Sequence, residues 1–351
     1  MSQPMDAQRQ NHILIAGGIA LLILTLAVIV SVLDASRGWA PSVSGPVLPA
    51  WQAGVTDVSE ITLTQSEGSF TLRREAAGWV MPERDGYPVR PELVAELDTL
   101  LAGLSFIGAR TADPEKFGRL GLAEPGAADG AGVRLQVTGA SGEVLADLVF
   151  GTVRGETIYL RQPGESRTYA GRLPAGLDAA LIARPADEWL ALDFISLGRS
   201  AIARTRIQPE TGPEYLLERP ASSVRNFALR EPSGWQPITA GAGNGPASAL
   251  SRIRFRDVRR ADRMTGALVG YHEAETFEGL SVRLDIIAQG ETRWALVRVN
   301  ALTDDARDDA RSLEMTSENW AYLLSDLSLD RLLRPLSEIA DPRPQETFDA
   351  P

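Results

Sequence analysis

Residues 58–81 read VSEITLTQSEGSFTLRREAAGWVM, and the fold turns on this stretch. Ile61 and Leu63, then Phe70 and Leu72, alternate with polar residues, so each run carries one apolar face at the period of a β-strand. Glu67-Gly68 supplies turn chemistry between the runs, which predicts an antiparallel hairpin. A second turn at Gly78 precedes Trp79. Next comes YPVRPELVAELDTLLAGL (87–104). Leu93, Leu97, Leu100, Leu101 and Leu104 recur there at helical spacing, with Pro91 opening the helix and Gly103 closing it. FIGARTAD (106–113) then returns to a short strand.

The same order recurs in a worn form. ARTRIQPETGPEYLLER (203–219) has its turn at Gly212, and GWQPI (234–238) sets Trp235 after Gly234. NGPASALSRI (244–253) begins a short helix behind Pro246, followed by the strand IRFRDVRR (253–260). VRLQVTGASGEVLADLVFG (133–151) matches VRLDIIAQGETRWALVRV (282–299), each a hairpin with a glycine turn. DEWLALDFISL around Trp189 parallels ENWAYLLSDLSL around Trp320. Four tokens in one order predict an internal duplication; the alternative is two unrelated strand-rich stretches.

Ahead of these halves, residues 13–33 read ILIAGGIALLILTLAVIVSVL, without a charge. A helix of that length spans roughly 30 Å, the thickness of a bilayer core. A cleaved signal peptide has a shorter apolar region and a more basic leader, so an uncleaved anchor is expected. The expected fold class is α+β: a single N-terminal transmembrane helix followed by two similar strand-rich halves, each an antiparallel sheet with one principal helix. The expected segments are a tail (1–12), the transmembrane helix (13–33), a Pro/Gly-rich linker (34–56), a first α+β repeat (57–197), a second diverged repeat (198–337) and a flexible tail (338–351). Trp39 and Trp51 in the linker either sit at a lipid interface or dock on the domain. A short leading tail before a long domain predicts the tail inside and the main domain outside, which for a bacterial inner membrane is the periplasmic side.

Composition excludes several chemistries. The 351 residues contain no cysteine, so disulfides, thiolate nucleophiles, iron–sulfur clusters and cysteine–zinc sites are ruled out. His12 and His272 are the two histidines, too few for a multi-histidine metal site. The net charge of −11 speaks against a general nucleic-acid partner. No phosphate-binding Gly-x-x-x-x-Gly-Lys-Ser/Thr loop occurs, since the single lysine, Lys116, precedes Phe117. No catalytic residue, metal ligand or cofactor site can be assembled.

Half one resembles the bacterial domain of unknown function 4340 family. The resemblance lies in ITLTQSEGSFTLRREAAGWVM, in the leucine helix after Pro91, in DPEKFGRLGLAEPGA (113–127), and in the hairpin leading to GETIYLRQPGESRTYAG (155–171). It covers about residues 58–195 well and the second half weakly, where MTGALVGYHEAETFEGL (264–280) is a remnant of the Gly-Leu-Pro element. The resemblance implies a membrane-anchored envelope protein, some such proteins occurring with ABC-type export systems of the gliding-motility kind. It brings no catalytic residues.

The most conspicuous charge feature is SRIRFRDVRRADR (251–263), in which Arg252, Arg254, Arg256, Arg259, Arg260 and Arg263 oppose only Asp257 and Asp262. Alternation with Ile253 and Phe255 predicts guanidiniums on one strand face, a candidate face for an anionic partner. The competing reading is a solvated edge paired with acidic neighbours. DDARDDAR (304–311) lacks the spacing of a calcium loop and reads as a self-paired surface segment. Trp79, Trp189, Trp235 and Trp320 read as core anchors, and Glu92, Glu96 and Asp98 as the solvent face of the helix. The expected function is a non-enzymatic envelope protein, an accessory or interaction component of a membrane complex, with an ABC-type transport system among the candidate hosts. The alternative is a ligand- or polymer-binding module that uses the groove between the halves and the arginine strand. Oligomeric state stays open.

Overall fold

The computed structural model describes residues 22–26, 43–52, 57–127, 130–178 and 180–343. Ten strands form the first sheet: β1 (Gly45–Pro46), β2 (Val58–Gln65), β3 (Gly68–Glu75), β4 (Gly78–Met81), β5 (Tyr87–Pro88), β6 (Ser105–Ala109), β7 (Val133–Gly139), β8 (Val144–Arg154), β9 (Thr157–Arg161) and β10 (Thr168–Arg172). They lie in the order β1-β6-β10-β9-β8-β7-β2-β3-β4-β5, antiparallel at every pairing. The β2–β3 hairpin buries Ile61, Leu63, Phe70 and Leu72, the alternating set, and Gln65 pairs with Gly68 across it. The turn is therefore Ser66-Glu67, one residue earlier than the glycine suggested.

Helix α1 (Pro91–Gly103) is extended in its bonding by no side-chain cap, and its proline occupies the first turn, where the missing N–H costs nothing. Leu97, Leu100, Leu101 and Leu104 are at most 1% exposed. Burial of each contributes about 1.5–3 kcal/mol relative to an exposed side chain. Gly103 is required by close approach: a Cβ there would lie 2.5 Å from Pro174 Cγ.

The second sheet contains eight strands: β11 (Ile202–Gln208), β12 (Tyr215–Glu218), β13 (Ala228–Glu231), β15 (Phe255–Arg260), β16 (Ala267–Thr276), β17 (Leu280–Gln289), β18 (Thr292–Ala301) and β19 (Trp320–Leu324). Strands β14 (Trp235–Pro237) and β20 (Ala340–Pro342) pair separately. Read from one edge, the sheet runs β15-β19-β18-β17-β16-β11-β12-β13, and the first sheet runs β6-β10-β9-β8-β7-β2-β3-β4. Taken in chain order, these two series are the same topology.

That equivalence differs from the sequence matching in detail. By topology β7–β8 corresponds to β16–β17, whose turn holds Gly279, and not to β17–β18 with its Gly290 turn. The resemblance of 133–151 to 282–299 is one hairpin out of step, because any two strands with a glycine turn share that pattern. Trp320 opens β19, the counterpart of β10, whereas Trp189 ends the short helix Ala186–Trp189 after β10. They are not equivalent positions.

The expected fold class needs correction in two respects. The transmembrane helix over 13–33 falls mostly outside the described residues, as does the tail 1–12. Of that segment Leu22–Leu26 are helical and exposed, and among the described residues no helix is long and apolar enough to cross a membrane. Nor does each sheet carry one principal helix. In the second half the expected helix is one α-turn (Asn244–Ala247) followed by a 3-10 turn (Ala249–Arg252). Gly243, Gly245 and Pro246 deny it propagation. The longer helices there are α2 (Arg307–Ser317), over β17 and β18, and α3 (Asp326–Leu332). The linker and tail are partly built in: β1 and β20 both pair, and Trp51 is 6% exposed with Nε1 donating to Asp98 Oδ1 at 3.0 Å.

Candidate functional site

The arginine segment lies where the two sheets meet. β15 is an edge strand carrying a bulge: Phe255 pairs with Leu324 and Asp257 with Leu323, which leaves Arg256 as the extra residue. The bulge breaks the period of two, so Phe255 and Val258, three apart, are both buried. The six arginines consequently do not share one face. Arg256 reaches Asp187 at 3.8 Å, Arg259 stacks 3.8 Å over the Trp294 ring and Arg260 lies 5.1 Å over Trp320. Arg263 pairs with Asp85 at 2.8 Å, while Arg252 and Arg254 line a separate cavity.

Much of the anion that faces this strand therefore belongs to the same chain. Asp85 has φ 58°, a left-handed conformation that Asp tolerates, and its N–H bonds to Pro82 O at 3.0 Å to close the turn 82–84. That geometry aims the carboxylate at the second sheet, where Oδ2 accepts the Arg260 N–H at 3.3 Å. The exposed edge of β15 is thus covered by the other half. Arg84 of the same turn pairs with Asp257.

Beneath the charges lies an aromatic cluster. Tyr87 meets Trp320 edge-on with ring centres 4.9 Å apart, and Phe194 contacts Tyr322 at 4.9 Å and Phe255 at 5.8 Å. Phe255 stacks on Tyr322 at 4.6 Å. Tyr87 donates its hydroxyl to Ala191 O at 2.9 Å. Burial pushes the Tyr87 phenol up to about 12 and raises that of Tyr322 as well.

The side chains that chemistry would draw on are engaged by the fold. His272 on β16 is fully buried, its Nδ1–H donating to Leu332 O at 3.0 Å, and burial pulls its pKa down to about 4. Glu96 accepts the Asp178 N–H at 3.1 Å, and Asp98 holds Trp51. Asp285 is 4% exposed and bracketed by Arg283 and Arg298. Among the described residues no three His, Asp or Glu side chains gather as a metal site requires.

Arg161 explains how the Gly-Leu-Pro element is held. It is 3% exposed, donates Nε to Leu122 O at 3.0 Å, pairs with Glu124 at 2.5 Å and stacks 4.9 Å over Phe117. Gly121, at φ 66°, packs against the Thr152 backbone, where a Cβ would lie 2.9 Å from Thr152 N.

Two concavities stand out. One, of about 450 Å³, lies between α1 and the first sheet and is lined by Trp51, Trp79, Ile61, Val94, Leu97 and Asp98 among others. The other is basic and has two adjoining compartments of about 280 and 620 Å³ that share Ser251, Arg252 and Arg331. Arg199 and Arg334 line the smaller compartment, Arg254 and Asp193 the larger. Only Arg252 and Arg254 belong to the segment that the sequence singled out. Arg199, Arg331 and Arg334 are scattered along the chain, and no local pattern announced them.

No curated protein and no solved structure matches the chain. A family profile does, over residues 79–267. The matched span begins at Trp79 in β4 and ends at Ala267 in β16, so it starts after the β2–β3 hairpin and runs through the seam into the second half. It is not confined to half one. Because it covers more than half of the chain, the protein belongs to the family described as Domain of unknown function (DUF4340).

Proposed function

We propose that the protein is a non-enzymatic scaffold, an accessory or interaction component of a bacterial envelope complex. The observation that carries this reading is the seam: Asp85, Arg84 and the Tyr87 cluster join two sheets of like topology into one body. His272 and Asp285 are committed to the interior rather than presented to a substrate. A body so built presents broad sheet faces and edges to neighbours, which suits assembly better than turnover. The envelope setting, and an ABC-type transport system as host, rest on the resemblance named above; the transmembrane helix is not carried into this reading.

The test is crosslinking in cells at native expression, followed by identification of what is captured with the full chain. Recurrent capture of the same envelope components, an ABC-type subunit among them, supports the proposal. Isolation as a lone monomer in repeated experiments overturns it.

A further inference from the structure

Arg199, Arg252, Arg254 and Arg331 line the two-compartment groove, and among the described residues none of the four side chains has an ion-pair or hydrogen-bond partner. Arginines without a carboxylate partner occur elsewhere as well, Arg154 and Arg172 among them, but here four of them line one concavity. No carboxylate lines the smaller compartment, though its Arg334 pairs with Asp330 at 2.7 Å, and in the larger one Asp193 is already taken by Arg90 at 3.0 Å. Guanidiniums gathered around one concavity without a counter-charge give it a positive potential that an anion can occupy.

We infer that this groove binds an anion of the phosphate class, presented by a free small molecule or by a lipid headgroup. A carboxylate is matched by a single guanidinium fork. A phosphate monoester carries about −1.5 to −2 charges and three acceptor oxygens, so it can take several forks at once. The smaller compartment, about 280 Å³, suits a compact group rather than a polymer backbone. The inference stands apart from the scaffold proposal, since a scaffold without partners could still bind the anion.

The experiment titrates the full chain with inorganic phosphate by calorimetry. In parallel it measures retention on phosphatidylcholine vesicles with and without phosphatidic acid, whose headgroup is a phosphate monoester. The variant is Arg252→Gln with Arg331→Gln, and the control is Arg154→Gln with Arg172→Gln on the first sheet. Because these arginine side chains hold no hydrogen bond or ion pair of the fold, circular dichroism should be unchanged. Saturable phosphate binding that weakens about tenfold or more in the groove variant, and not in the control, supports a free-anion site. Retention that depends on phosphatidic acid and on the groove arginines, without phosphate binding, supports a headgroup site. Equal response of variant and wild type in both arms overturns the inference, as does equal displacement of phosphate by acetate.

Discussion

Replacing Tyr87 by alanine should weaken the whole molecule, because its ring is where the first sheet enters the second. The side chain is 1% exposed and lies edge-on to Trp320 at 4.9 Å and to Tyr322 at 6.1 Å. Truncating a buried aromatic costs about 3–5 kcal/mol, a large fraction of a typical 5–15 kcal/mol total. Tyr87→Phe keeps the ring and strands the Ala191 carbonyl, so it should cost about 1 kcal/mol. Urea unfolding followed by tryptophan fluorescence reads both, with Trp320 reporting on the contact. Pairing Tyr87→Ala with Trp320→Ala should give a coupling of about 0.5–1.5 kcal/mol. The phenol also sets an alkaline limit. Its folded pKa, about 12, exceeds the unfolded 10, so its contribution is intact below pH 10 and is lost as pH rises toward 12; Tyr87→Phe should remove that part of the loss. A Tyr87→Ala midpoint at the wild-type value, or zero coupling to Trp320, would refute the packing argument.

His272 should impose an acid limit: its folded pKa of about 4 lies below the unfolded 6.5, so the unfolded chain binds the extra proton and stability falls as pH drops from 6.5 toward 4, by on the order of 3 kcal/mol. His272→Leu should flatten that slope in urea midpoints taken across the range, and an unchanged slope would show that other groups produce it. Arg161→Met should free the element at Gly121 and Leu122, seen as faster hydrogen exchange over residues 117–124 with the β2–β3 hairpin unaffected; uniform exchange would count against its anchoring role. Gly103→Val should destabilise by about 1–3 kcal/mol through overpacking on Pro174, whereas Gly198→Ala, without a left-handed backbone and with nothing near its Cβ, should change the thermal midpoint little.

How much of this was readable beforehand follows from the range of the interactions. The β2–β3 hairpin and α1 were legible because alternation and leucine spacing are local signals that burial later uses directly. Even the leucine set matches the buried face of α1. The second half was harder, since a glycine-turn hairpin looks like its neighbour, and only strand order shows that β7–β8 answers to β16–β17. The arginine strand was visible, but its partners were not. Asp85 and Asp187 stand well over fifty residues away and look ordinary in sequence, and the bulge at Arg256 has no sequence mark. The basic groove is assembled from Arg199, Arg252, Arg254 and Arg331, residues that only tertiary structure brings together.

Whether the two sheets form one body is decided by differential scanning calorimetry of the full chain at neutral pH. The seam predicts a single transition whose calorimetric and van't Hoff enthalpies agree. Two separable transitions, or a calorimetric enthalpy about twice the van't Hoff value, would contradict it and return the halves to independent domains.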